Sequence, residues 1–314
     1  MTKTIHAAAM AAALAASIAP AVAATGADDP AATAVPAFHL RAPADEAGTA
    51  DHKRPKFHVR YQGGPVMTGA NAVYAIYYGD FPLTGARNDS RAILDDFLTG
   101  MGGTSIFAVN STYTDGAGTP VPRTLAYDRA THSALDAYSL GPQPTNAEVP
   151  LIVAEAIHSG RLPLDDDGVY VVFVSPDATR HLQTCAFHHW STDIMQGHVV
   201  KWASVPLFTG KDMQRCSGSL HVYGESNSPN DNIEADTAID SAFHEVSEAL
   251  TDPEGTGWVS DDHGVENGDP CTFNYGPGYV APNGTHANAN FGGRDYLFQT
   301  LWISQQPVRC AYRP

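Results

Sequence analysis

The sequence predicts a mixed α/β or α+β fold, a single layered domain with a central sheet, packed helices and a loop-rich C-terminal part. Three observations predict it. Val169-Tyr170-Val171-Val172-Phe173-Val174 is an almost unbroken apolar run, the pattern of a strand covered on both faces. Segments with apolar residues at helical spacing alternate with strand-like runs. Beyond Pro253 the chain turns rich in glycine and short polar residues, which favours loops.

In chain order, residues 71–78 read NAVYAIYY, rich in aromatic and β-branched side chains and closed by Gly79, and so predict a buried strand. Ile93, Leu94, Phe97, Leu98 and Met101 recur at helical spacing after the polar start Asn88-Asp89-Ser90. Val149, Ile152, Val153, Ala156 and Ile157 make a second helix, which Gly160 ends at its C′ position. The run over 169–174 is the next strand, and residues 198–208 predict another. Asp231 is placed to cap a third, long helix with Glu234 three residues on, and Pro253 stops it near Thr251. A late strand is expected over 295–303.

Composition narrows the function classes. A chain of 314 residues, 43% hydrophobic and 17% charged, is neither a disulfide-held miniprotein nor a disordered segment. With 34 acidic against 18 basic residues and a formal charge of −16, it lacks the basic excess that nucleic acid or an anionic membrane surface demands. Lys3 precedes an Ala-rich run over 7–19, then Pro20 and the small-x-small triplet Ala21-Val22-Ala23. Residues 1–24 therefore read as a secretory signal peptide, residues 25–56 as a flexible Ala/Pro-rich leader, and residues 57–314 as the folded domain. A permanent membrane span needs roughly 20 apolar residues, and no later stretch reaches that length. Export favours oxidation of Cys185, Cys216, Cys271 and Cys310. Three connectivities are open, and pairing of neighbours is expected.

The chemistry concentrates on the third helix. Its apolar set, Ala235, Ala238, Ile239, Ala242, Phe243, Val246, Ala249 and Leu250, centres close to Val246. His244 and Glu248 fall about 160° away from that centre, one turn apart, so their side chains can converge. The string His244-Glu245-Val246-Ser247-Glu248 is an H-E-x-x-E pattern. In the H-E-x-x-H zinc helix, ligands occupy i and i+4 while the intervening Glu activates bound water. A carboxylate is an acceptable zinc ligand in place of the second imidazole. Taken alone, the pattern equally suits the solvent face of an amphipathic helix. The segment Glu266-Asn267-Gly268-Asp269-Pro270-Cys271 adds two carboxylates beside a cysteine able to anchor them. Glu266 or Asp269 is thus expected as a third ligand, with Glu245 as the general base. Asp252, Asp261 and Asp262 enlarge the acidic group, and an oxygen-only calcium site is the alternative.

Several short motifs resemble one known family. They are Gly63-Gly64-Pro65-Val66-Met67-Thr68-Gly69 with Val73-Tyr74-Ala75-Ile76-Tyr77-Tyr78-Gly79, Thr184-Cys185-Ala186-Phe187-His188, the H-E-x-x-E helix, Trp258, residues 266–271, and Gly292-Gly293-Arg294-Asp295-Tyr296-Leu297. In this order, over roughly residues 58–303, the chain resembles the phosphate-induced protein 1 family, the EXORDIUM-like secreted proteins best known in plants. The resemblance implies an extracellular or cell-wall location and no established reaction. Ala186 stands where the plant pattern usually has Gly, and the Ala-rich N-terminal segment is of bacterial type.

Other residues carry weaker signals. His188 and His189 follow Cys185 closely enough for a disulfide to fix them near the metal face, though surface or core histidines are the ordinary case. Trp190, Trp202, Trp258 and Trp302 suggest a sugar-stacking platform. Asn88-Asp89-Ser90, Asn110-Ser111-Thr112 and Asn283-Gly284-Thr285 match the glycosylation sequon, which carries no meaning in a bacterial exported protein. Phosphate-binding, dinucleotide-binding and G-x-S-x-G motifs are absent. The expected function is a secreted zinc-site hydrolase acting on peptide or cell-envelope material. A non-catalytic cell-wall or glycan-binding module with a structural or calcium-binding acidic cluster is the alternative.

Overall fold

The computed structural model describes residues 58–82, 88–182, 184–261, 264–305 and 307–314. The expected signal peptide and leader lie outside the described residues, as does Asp262. A short strand β1 (Arg60–Tyr61) precedes β2 (Ala72–Tyr78), α1 (Ser90–Met101), β3 (Ser133–Asp136), α2 (Val149–His158) and β4 (Gly168–Val174). Then come β5 (Phe187–Ser191), β6 (Val200–Pro206), the short helices α3 (Gly210–Cys216) and α4 (Gly218–Tyr223), and the long α5 (Ile233–Thr251). Strand β7 (Trp258–Val259) pairs with β1, and two-stranded ribbons and loops make up the rest.

The central sheet has the order β3-β2-β4-β6-β5. Its first four strands are parallel, and β5 runs antiparallel to β6 at the edge, which makes the fold mixed α/β. Every residue of β2, β4 and β6 is buried, as the apolar runs predict for strands covered on both faces. Val73, Tyr77, Phe173 and Val205 face the cluster that includes α1 and α5. Tyr74, Ile76, Tyr78, Val172 and Trp202 face the other way, toward α2. Among the described residues no helix is long and apolar enough to cross a membrane.

Two elements differ from their sequence expectation. Asn232, one residue later than Asp231, caps α5, and its Oδ1 accepts from Ala235 N at 3.1 Å. Its amide nitrogen donates to Asp89 Oδ1 and Ser90 Oγ at 2.8 and 3.0 Å, so one side chain ties together the starts of α5 and α1. The late strand is split. Arg294–Tyr296 pairs with Ala289–Phe291 and Leu301–Ile303 with Arg309–Ala311. Between them, Phe298, Gln299 and Thr300 donate their backbone N–H groups to Asn288 Oδ1, Asp240 Oδ1 and Asn274 O, partners that no local pattern announces.

Both disulfides join neighbours, Cys185 to Cys216 and Cys271 to Cys310. The second closes a separation of 39 residues and anchors the segment that follows α5. Replacing both of its cysteines (C271S with C310S) is expected to lower unfolding free energy by on the order of 3–4 kcal/mol in the chain-entropy account, read as a fall in the urea midpoint.

Candidate metal centre

Helix α5 is not half exposed. His244, Glu245 and Glu248 are only 2%, 2% and 3% exposed, although they lie away from the apolar stripe. Their polar face is covered by the sheet edge and by residues 266–271, so the solvent-face reading of H-E-x-x-E does not apply.

Strand alternation supplies the first cover. In β5, Phe187 and His189 both pack on Trp202, so His188, between them, projects to the opposite face, where α5 lies. Register agrees: His188 sits opposite Ala203 of the α5-side cluster and His189 opposite Trp202 of the other. His188 Nδ1 lies 3.2 Å from Glu245 Oε2 and 3.5 Å from Glu248 Oε2.

The acidic loop supplies the second cover. Asn267 is fully buried, and its side chain donates to Asn110 Oδ1 at 2.9 Å, while Asn110 in turn donates to Ser247 Oγ of α5 at 3.3 Å. Asn110 therefore serves packing, and its burial removes it as a glycosylation acceptor. Gly268 N donates to Glu248 Oε1 at 3.2 Å, and Cys271 closes the loop through its disulfide. This brings Asp269 Oδ1 to 3.7 Å from His244 Nε2 and Glu266 Oε1 to 3.5 Å from His188 Nε2. Both acids thus reach the helix face, each against a different histidine. Asp252 is buried nearby and accepts from Gly257 N at 2.6 Å.

The approach at Gly268 leaves no room for a side chain. A Cβ there would sit 2.9 Å from both Glu248 Oε1 and His244 Nδ1. Gly268→Ala is expected to cost about 1–3 kcal/mol through forced displacement, checked by thermal unfolding.

Two groups of donors result, and they share Glu248. His188, Glu245 and Glu248 form one; His244, Glu248 and Asp269 form the other; within each, the donor atoms lie within 4.8 Å of one another. Ligands 2.0–2.2 Å from a tetrahedral ion are themselves about 3.3–3.6 Å apart. The spacings of 3.0 Å (His244 Nε2 to Glu248 Oε1), 3.2, 3.5 and 3.7 Å bracket that range. The 3.5 Å spacing lies inside that range and beyond the usual hydrogen-bond length, whereas 3.0 and 3.2 Å are ordinary hydrogen-bond distances. Each imidazole is also held from its far nitrogen, the arrangement that orients metal-ligating histidines. Gln299 donates through Nε2 to Gly268 O at 2.8 Å, which turns its Oε1 to His244 Nδ1 at 3.0 Å and leaves Nε2 facing the carboxylates. Glu266 does the same for His188 Nε2.

The protonation balance reflects crowding. Burial opposes charge on His244, but Glu248, Glu245 and Asp269 more than offset it and hold the pKa well above the ordinary histidine value. For His188, burial is likewise outweighed by Glu266, Glu245 and Glu248. Burial would raise Glu248, yet His244 and His188 push it down to about 2. Burial raises Glu245 against the opposing pull of both imidazoles, and it lifts Glu266 well above the usual carboxylate range. Asp269 is pushed up to about 7 by burial and by Glu248. A small cleft of about 20 Å³ reaches this centre, lined by Ser241, His244, Glu245, Phe273, Gln299 and the Cys185–Cys216 bridge among others.

The tryptophans do not make one platform. Trp202 is buried in the α2-side cluster, whereas Trp258 packs on Tyr61 and Tyr113 against the α5-side cluster. His188, beside the centre, carried only a weak sequence signal, its place after Cys185. The alternation of a recognised β5 would have found it.

Three of the motifs that carry the family resemblance, residues 184–188, 244–248 and 266–271, meet at this centre. "Protein EXORDIUM-like 3" of Arabidopsis thaliana is 25% identical over 285 residues, which cover 78% of this chain and 80% of that protein. No solved structure matches the chain. The family model described as the phosphate-induced protein 1 conserved region matches residues 59–311, and the chain therefore belongs to the phosphate-induced protein 1 family.

Proposed function

We propose that the protein is an exported, zinc-dependent hydrolase acting on peptide or cell-envelope material. One observation carries the reading: buried His244 and Glu248 and partly exposed Asp269 are gathered as a donor group beside a cleft whose wall includes Glu245. Two disulfides and the N-terminal Ala-rich segment support export.

His244, Glu248 and Asp269 would hold the ion. A zinc bound there supplies acidity to its water and polarises a carbonyl. The remaining work belongs to the chain. Glu245, with burial already raising its proton affinity, takes the proton from the attacking water. Gln299 keeps His244 in the tautomer that presents Nε2, and Gly268 N keeps Glu248 Oε1 in place. An imidazole in each donor group favours zinc over calcium, which takes six to eight oxygens. The dispersal of the tryptophans favours hydrolysis over a glycan-stacking module.

Metal analysis of full-length protein folded with zinc and dialysed is the test. At least about one zinc per chain is expected, and less than about a tenth per chain after that treatment overturns the reading.

A further inference from the structure

Glu248 divides its two oxygens between two histidines. Oε1 faces His244 Nε2 and accepts from Gly268 N, and Oε2 faces His188 Nδ1 at 3.5 Å. His188 stands on a paired strand and has Glu266 against its far nitrogen, so it is positioned as a ligand without reference to His244. Its partners, Glu245 Oε2 and Glu248 Oε2, lie at the separations that two ligands of one ion adopt.

Charge points the same way. Buried Glu245, Glu248 and Asp252 and partly exposed Glu266 and Asp269 bring five negative charges to the centre when ionised, while a single divalent ion returns two. Buried charge without compensation is costly. Two divalent ions offset most of it. A second ion enters beside the first and is repelled by it, so it binds more weakly.

We propose that His188, Glu245 and Glu248 form a second, weaker zinc position whose filling inhibits the protein by converting Glu245 from proton acceptor to metal ligand. The binding is a property of these three side chains; its inhibitory consequence rests on the hydrolase reading above. Hydrolysis then rises as the first zinc equivalent is added and falls as the second fills. No covalent step is involved, only exchange of the Glu245 carboxylate between water and metal.

The experiment is calorimetric titration of metal-free, full-length protein with zinc chloride. The expected result is two zinc ions per chain with distinguishable affinities. His188→Gln should retain only the tighter ion, and His244→Gln only the weaker. Glu266→Gln leaves all proposed ligands intact and should weaken the second ion about tenfold. It provides a second arm should a histidine variant fail to fold. One zinc in the wild type, at an affinity unchanged in Glu266→Gln, overturns the second position and leaves the hydrolase reading standing. No zinc at all overturns both.

Discussion

Glu245→Gln is expected to reduce turnover of a mixed peptide pool by about 10²- to 10⁴-fold while the tighter zinc stays bound. Gln is nearly isosteric and cannot accept the proton. The proposed tighter site is His244, Glu248 and Asp269, a donor group that does not include Glu245. The side chain is 2% exposed and stands between His188 and the cleft, so loss of the carboxylate removes a charge without opening a cavity. The readouts are the rate at one zinc equivalent and the zinc content of the assayed sample. Equal rates in wild type and variant with zinc retained would remove Glu245 from the chemistry. Loss of zinc along with the rate would instead place it in the tighter site.

The second large effect is on stability, and it reverses with metal. Asp236 and Asp240 are 5% and 7% exposed, and burial pushes each up to about 6. Asp269, pushed up to about 7, contributes less because its side chain is 28% exposed. A carboxyl raised in the folded state favours folding below its unfolded value and loses that contribution as pH rises through the folded one. The raised histidines act in the same sense: their contribution is present below the unfolded value and is lost as pH rises through the folded one. Glu248, lowered to about 2, acts oppositely, its contribution lost as pH falls from the ordinary glutamate value toward 2, and His189, lowered by burial and by His188, likewise adds stability as pH rises. The metal-free protein is therefore expected to be most stable in mild acid and to lose at least about 3 kcal/mol between pH 4.5 and 7.5. For a domain of this size that is a fall of roughly 6–12 °C in melting temperature. Zinc needs deprotonated carboxylates and neutral imidazoles, so its stabilisation grows over the same interval. Thermal unfolding across that range, with chelator and with zinc, checks both slopes. A metal-free melting temperature that rises toward pH 7.5 would contradict the charge balance described for the centre.

The expectations from sequence that held were those dictated by local chemistry. Apolar runs over 169–174 and 71–78 have one stable destination, a strand buried on both faces, and they pair directly as β4 and β2. The spacing of Ala238, Ala242, Val246 and Ala249 allows one helix with one core stripe, and that helix is α5. Cysteine pairing with the nearest neighbour followed from short loop closure. Where local patterns failed, long-range partners were responsible. Residues 298–300 leave the ladder because Asp240, Asn274 and Asn288 take their N–H groups, and Asn232 replaces Asp231 as cap because it also binds α1.

By itself, the sequence pointed to the family, a layered α/β or α+β class, neighbour pairing as one of three disulfide connectivities, and His244, Glu245 and Glu248 as residues to watch. Periodicity, cysteine separation and ordered motifs are properties of the chain as a string. The polar face of α5 was decided only by the tertiary structure. Whether i, i+4 side chains meet water or a donor group depends on what lies across from them. Here that was set by an edge strand carrying His188 and by a loop held through Asn267, Gly268 and Cys271, segments 20 to 60 residues away whose approach no helical spacing encodes.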